Sequence, residues 1–174
     1  RRHTRLRTVT GVQTCALPIS IPRYSYFTIN GILYSFTRDT TFNKVTGEVE
    51  SLPSLSDENL LYQGPFVEYP GQVATGEPYE TFTLVVKDNI TNTPINIDQS
   101  SINVYVYNNA TRKYSEFTLT NSLFLENSTA TKYECRYNEN GFYELKFGNN
   151  VFGQKLNAND VVYIYYVQDR KSTR

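Results

Sequence analysis

The chain has 174 residues, with seventeen Lys or Arg against seventeen Asp or Glu, one His, two Cys and neither Trp nor Met. That length suits one ordinary domain or two small units, and no run approaches the roughly 18 apolar residues of a membrane-spanning helix. Val, Ile, Tyr and Phe dominate the apolar residues and Asn, Thr, Ser and Gly punctuate them, which points to an all-β protein.

Both ends read as foreign to the fold. Residues 9–19, VTGVQTCALPI, are the in-frame translation of a common sequencing-library adapter, and residues 1–5 continue the same oligonucleotide upstream. Residues 169–174, DRKSTR, match the start of the opposite adapter. Residues 1–20 and 169–174 are therefore expected to have no fold, and the Arg-rich start, which has the look of a targeting peptide, is set aside with them. Those ends hold seven of the seventeen basic residues but one of the seventeen acidic ones, leaving ten against sixteen, a net charge of −6. His3 and Cys15 also fall there. An acidic, His-free remainder is a poor nucleic-acid binder, because phosphate neutralisation needs a basic patch. Cys135 stands alone, so no intramolecular disulfide is expected. Strand alternation puts it on the face of Tyr133 and Tyr137, as a buried cysteine and not a reactive thiol.

In chain order, residues 24–29 and 32–36 flank Asn30-Gly31, a strong hairpin signal because a type I′ turn needs φ > 0 at both central residues. Thr46-Gly47 marks a second, more exposed turn. Residues 52–60 read as a loop, with room for a short helical turn capped by Ser56 or Asp57. Residues 63–79 carry Gly64, Pro65, Pro70, Gly71, Gly76 and Pro78. Such a stretch predicts a connector or an irregular edge strand, since proline cannot donate to a ladder. The boundary is placed there, giving a hairpin-rich unit over 21–78 and a second unit over 79–168.

The second unit alternates more clearly. Strands are predicted over 79–86, 102–107, 114–119, 132–137, 142–147 and 161–167. The fourth and fifth pair across Asn138-Glu139-Asn140-Gly141. The last, VVYIYYV, is apolar on both faces and should lie centrally or be covered by a neighbouring subunit. The expected fold is an antiparallel β-sandwich or partly open barrel, preceded by the smaller hairpin-rich unit.

The most informative phrase is YELKFGNNVFGQKLNANDVVYIYYV, residues 143–167. Gly148, Asn149, Asn150 and Gly153 tolerate φ > 0 and allow a tight structural turn between two strands. This phrase resembles a recurrent segment of the baseplate wedge proteins of T-even-like contractile-tailed phages, F-G-[DN]-G-x-x-G-x-x-L followed by a hydrophobic strand. Asn150 stands where that pattern has a second glycine. The order of YFTINGILYSF, LYQGPFVEYP, ETFTLVV and INVYVY is also similar to these proteins. The resemblance implies a non-enzymatic structural component of the virion, made in the bacterial cytoplasm. Its implied partners are other copies of itself and other wedge subunits, and the chain would be a fragment of a longer protein.

Chemistry finds little support in the residues. His-based triads and zinc sites lack their histidine, and no phosphate-cradling glycine loop has the right spacing. Glu116, Glu134 and Glu144 lie on separate predicted strands, where a facing pair would serve a glycosidase, but solvent-facing strand acids explain them more simply. Asn149, Asn150 and Asp160 offer oxygen to calcium, yet turn formation accounts for them. The sequons at Asn89, Asn109 and Asn127 are expected by chance in an Asn- and Thr-rich chain. No enzyme activity, cofactor, metal, nucleic acid or membrane is expected. Tyr163, Tyr165 and Tyr166 are the candidate interface residues, with Tyr105 and Tyr107 able to line the same face. The alternative is a β-sandwich carbohydrate-binding or adhesin-like module using those tyrosines against sugar rings.

Overall fold

The computed structural model describes residues 19–43, 46 and 61–167, and its chain contacts divide into two units after Gln63. The 46–47 turn (apart from Thr46), the 52–60 segment and most of both adapter-like ends lie outside the described residues. Unit one contains β1 (Ile19–Ile21), β2 (Tyr26–Ile29), β3 (Ile32–Phe36), β4 (Thr40–Phe42) and β5 (Leu61–Gln63). β2 and β3 pair in register from Ile29↔Ile32 outward, and Asn30 and Gly31 take φ of 51° and 81°, the expected primed turn. β5 adds antiparallel to β3. β1 pairs with β4, so Ile19 and Ser20, read from the sequence as foreign to the fold, belong to a strand. A ladder bonds through backbone groups and asks little of the side chains: Ile19 and Ser20 are exposed. Phe36 centres this unit's small core, with Phe27 at 5.3 Å and Phe42 at 6.3 Å between ring centroids.

Unit two is one mixed sheet of seven strands, nearly closed on itself. It contains β6 (Phe66–Val73), β7 (Thr81–Leu84), β8 (Asn103–Asn108), β9 (Lys113–Leu119), β10 (Lys132–Tyr137), β11 (Tyr143–Lys146) and β12 (Val161–Val167). Their spatial order is β6-β12-β8-β9-β10-β11-β7. The barrel-like member of the expected pair of folds is the one adopted.

Two departures from the sequence reading, and one choice between its alternatives, have physical reasons. Of the connector and the irregular edge strand expected over 63–79, the edge strand is adopted: β6 pairs with β12 along most of its length. It can do so because it is an edge strand, and its irregularity sits opposite the register shift between Val162 and Ile164. β9 and β10 run parallel, not antiparallel, over two residue pairs, because residues 120–131 cross over as a loop with a single 3₁₀ turn at Leu123–Leu125. β11 and β12 share no ladder, so the glycine-rich segment between them is a long excursion and not a hairpin turn.

The core fills the inside of the curved sheet. Val162, Ile164 and Tyr166 of β12 point inward with Val104, Val106, Phe117, Tyr133, Leu145, Phe147 and Leu84. Phe147 is fully buried, edge-on to Phe82 and Phe117 at 5.8 and 5.5 Å. Tyr133 donates its hydroxyl to the Ile102 carbonyl (3.1 Å), and Ser101 Oγ accepts from the Val167 amide (2.9 Å), so both buried polar groups are satisfied. Burial pushes the Tyr133 hydroxyl well above its ordinary pKa. Cys135 faces inward opposite Leu145, and loss of water raises its thiol to about 11.

Candidate interaction surface

The outside of the same sheet presents two contrasting areas. Over β12, β8 and β9, period-2 alternation sends Tyr163 and Tyr165, Tyr105 and Tyr107, and Tyr114 outward. Ladder register lines them up: Tyr163 lies opposite Tyr105, which lies opposite Glu116, while Val161, Tyr107 and Tyr114 form the next row. Ring centroids are 4.9 Å apart for Tyr107–Tyr114, 5.9 Å for Tyr105–Tyr165 and 6.0 Å for Tyr114–Tyr163. Two carboxylates flank the rings. Tyr105 donates to Glu116 Oε1 (3.1 Å) and Tyr165 donates to Glu68 Oε2 (3.2 Å). Partial burial, then the Glu68 charge, raise the Tyr165 pKa.

Tyr166 is a correction to the candidate interface. Its side chain is 4% exposed and belongs to the core, on the inward face with Val162 and Ile164. Tyr114, which the sequence reading did not single out, takes the outward place and is 63% exposed.

Over β10 and β11, by contrast, the outward residues are charged and partly roofed. Glu134 is buried: its Oε1 accepts from the Leu123 amide (2.7 Å) and its Oε2 from Arg136 (3.2 Å). Glu144 accepts from Asn138 Nδ2 (2.8 Å). Glu116, Glu134 and Glu144 thus have three different sets of partners and do not form a facing pair. The roof is the 3₁₀ turn at Leu123–Leu125 joined to the glycine-rich loop. Leu123 is buried yet outside the main core cluster.

The glycine-rich residues hold this roof in ways only partly expected. Gly153 has φ of 73°, and a Cβ there would meet Leu123 Cδ2 at 2.8 Å. Gly148 does not take positive φ. It is needed because a Cβ there would overlap the Gly153 carbonyl. Asn150 takes the left-handed turn (φ 68°) and accepts from the Lys155 amide (2.8 Å). Asn149 does not; its Oδ1 instead accepts from the Val151 and Phe152 amides. The Gly153 amide donates to the Asn127 carbonyl and the Gln154 amide to that of Ala130, which staples the two loops together.

That stapled platform holds apolar side chains in water. Phe124 is 60%, Leu125 83% and Val151 60% exposed. Phe124 packs against Phe152 at 5.1 Å and Tyr79 at 6.5 Å, with Lys146 Nζ 4.5 Å from the Tyr79 ring. Sequence reasoning missed this cap, although Leu123-Phe124-Leu125 between polar loops was its visible signal.

Asp160 is buried and accepts from the Asn109 and Asn157 amides, so its oxygens tie the 157–160 turn to the β8–β9 hairpin. Among the described residues, no group of three or more His, Cys, Asp or Glu is placed to hold a metal ion. No family model matches the chain, and no curated protein matches it.

Proposed function

We propose that the chain is a structural assembly module of a contractile-tail baseplate wedge. It has no enzymatic role, and it joins copies of itself and other wedge subunits into a ring in the virion, after synthesis in the bacterial cytoplasm. The observation that carries this reading is the apolar cap. The phrase that bears the resemblance, residues 143–167, supplies Val151 and Phe152 to it, and hydrogen bonds fix the backbone beneath. Large side chains held rigidly in water are the mark of a protein contact surface. Sedimentation velocity of the full chain at micromolar concentration tests the proposal. Dimers or larger species are expected, and Leu125→Asp should reduce them. A strictly monomeric profile at high concentration would overturn it.

One observation favours the second reading, a carbohydrate-binding or adhesin-like module. Tyr105 and Tyr165 stand beside carboxylates, as rings do in sugar sites. The rings are tilted to one another by 70°, 49° and 47°, however, and offer no common plane for a sugar to stack on. That ranks it second.

A further inference from the structure

The apolar cap ends at a cation, and that end carries information about its occupant. We propose that the cap seats a short segment of another wedge subunit, apolar residues flanking one Asp or Glu whose carboxylate meets Lys146. This deepens the assembly reading and rests on it. The rings of Phe152, Phe124 and Tyr79 form a row, 5.1 and 6.5 Å between centroids, and Lys146 Nζ stands 4.5 Å from the last. Phe124, Leu125 and Val151 are exposed. A stable interface between two folded surfaces takes about 800 Å² from each partner. Three apolar side chains offer on the order of a few hundred, the footprint of a segment.

Lys146 has no carboxylate partner among the described residues, and the reason is local. Glu134 lies opposite it in the β10–β11 register, but is turned to the Leu123 amide and Arg136. Glu144, two positions along β11, accepts from Asn138. Glu80, beside Thr81 on the other neighbouring strand, accepts from the Thr75 and Gly76 amides. Lys146 lies against the Tyr79 ring instead. A ring attracts an ammonium through one face and leaves its other N–H donors for an oxygen. Tyr79 takes φ of 58°, a conformation that bulky residues rarely hold. Its amide donates to the Gly148 carbonyl (3.1 Å), so the glycine-rich loop keeps it there. Strain that the surroundings maintain is a feature of binding positions. Lys146 is half-buried, so a carboxylate arriving with apolar neighbours pairs with it away from bulk water, where the attraction is stronger.

The test is an NMR titration of the full chain with two blocked tetrapeptides, Leu-Phe-Glu-Leu and its Gln counterpart. Both should shift the ring resonances of Phe124, Phe152 and Tyr79. The Glu peptide should bind about threefold more tightly at low ionic strength, and added salt should erase this preference. Lys146→Met keeps the aliphatic stem and should level the two peptides, with the buried Phe147 resonances verifying the fold. Leu125→Asp should weaken both. Equal affinity of the two peptides for the wild type, or a preference that survives Lys146→Met, would overturn the proposal. Binding unaffected by Leu125→Asp would place the peptide off the cap and overturn it as well. Silence to both peptides would overturn the acidic segment alone, because self-association is measured separately by sedimentation. A strictly monomeric profile with the Glu preference intact would overturn self-association and leave the acidic segment standing.

Discussion

The two outer areas of the second unit are built on one sheet and differ in what lies over them. Over β10, the Leu123–Leu125 turn and the glycine-rich loop form a roof, and Glu134 beneath it is desolvated and satisfied by a backbone amide. Over β12, β8 and β9 the described residues form no such roof, and five tyrosines pack against one another. The roofed area has finished its bonding within the chain. The open one displays surface that is apolar in its centre and acidic at its flanks, which is what an association surface needs. Stability should therefore concentrate under the roof, while association falls to what stays in water, the outer face of the cap and the tyrosine area.

The largest expected effect is at the hinge of the roof. Gly148→Val drives a side chain into the Gly153 carbonyl and should cost about 3 kcal/mol in urea unfolding. A loss under about 1 kcal/mol would mean that the two loops slide apart freely and the roof is not a rigid element. Glu134→Ala comes next, because it leaves the buried Leu123 amide without its acceptor. A cost of about 1–3 kcal/mol is expected, and a neutral result would break the contrast between the areas.

The third effect is read against pH. The folded Cys135 thiol is raised to about 11 from its usual 9, so the folded state favours the protonated form. Its contribution is fully present below pH 9 and is lost as pH rises through 11. Wild type minus Cys135→Ala, measured by denaturant unfolding, should show this decline, which includes the repulsion between the thiolate and the neighbouring Tyr133. A flat difference would show that Cys135 is as well solvated as a surface thiol. The smallest effect is in the open area. Tyr114→Ser should change stability by no more than about 0.5 kcal/mol while reducing self-association in sedimentation. A larger loss of stability would make the tyrosines part of the fold's own support.

Much of this was legible before the structure. Asn30-Gly31 specified its hairpin because few residue pairs accept two positive φ values. The 161–167 run, apolar on both faces, announced a strand flanked on each side, and β12 lies between β6 and β8. Tyr166 was misjudged although the same alternation, with Val162 and Ile164, places it inward. Pro70 and Gly71 left residues 63–79 open between a connector and an irregular edge strand, and the ladder to β12 decides for the strand. The need for glycine at Gly148 was legible, but its reason was not. Close approach of Gly153 is a tertiary event with no local signature, unlike the left-handed φ at Gly153 itself. The cap at Phe124 and Leu125 escaped notice for a related reason: nothing local says whether a short apolar run faces in or out.

The position of β12 has a consequence for how the second unit comes together in time. It is the latest of the seven strands in sequence, yet it alone carries ladders to both β6 and β8. Until residues 161–167 leave the ribosome, β6 has no partner in the sheet and β8 has only β9. The hairpins β8–β9 and β10–β11 can form early, but the inside of the sheet stays open along one side. Closure therefore waits on a contact of long sequence separation, which makes for slow folding and a period in which unpaired edges are exposed. A chaperone, or a neighbouring chain that shields β6, would act during that interval.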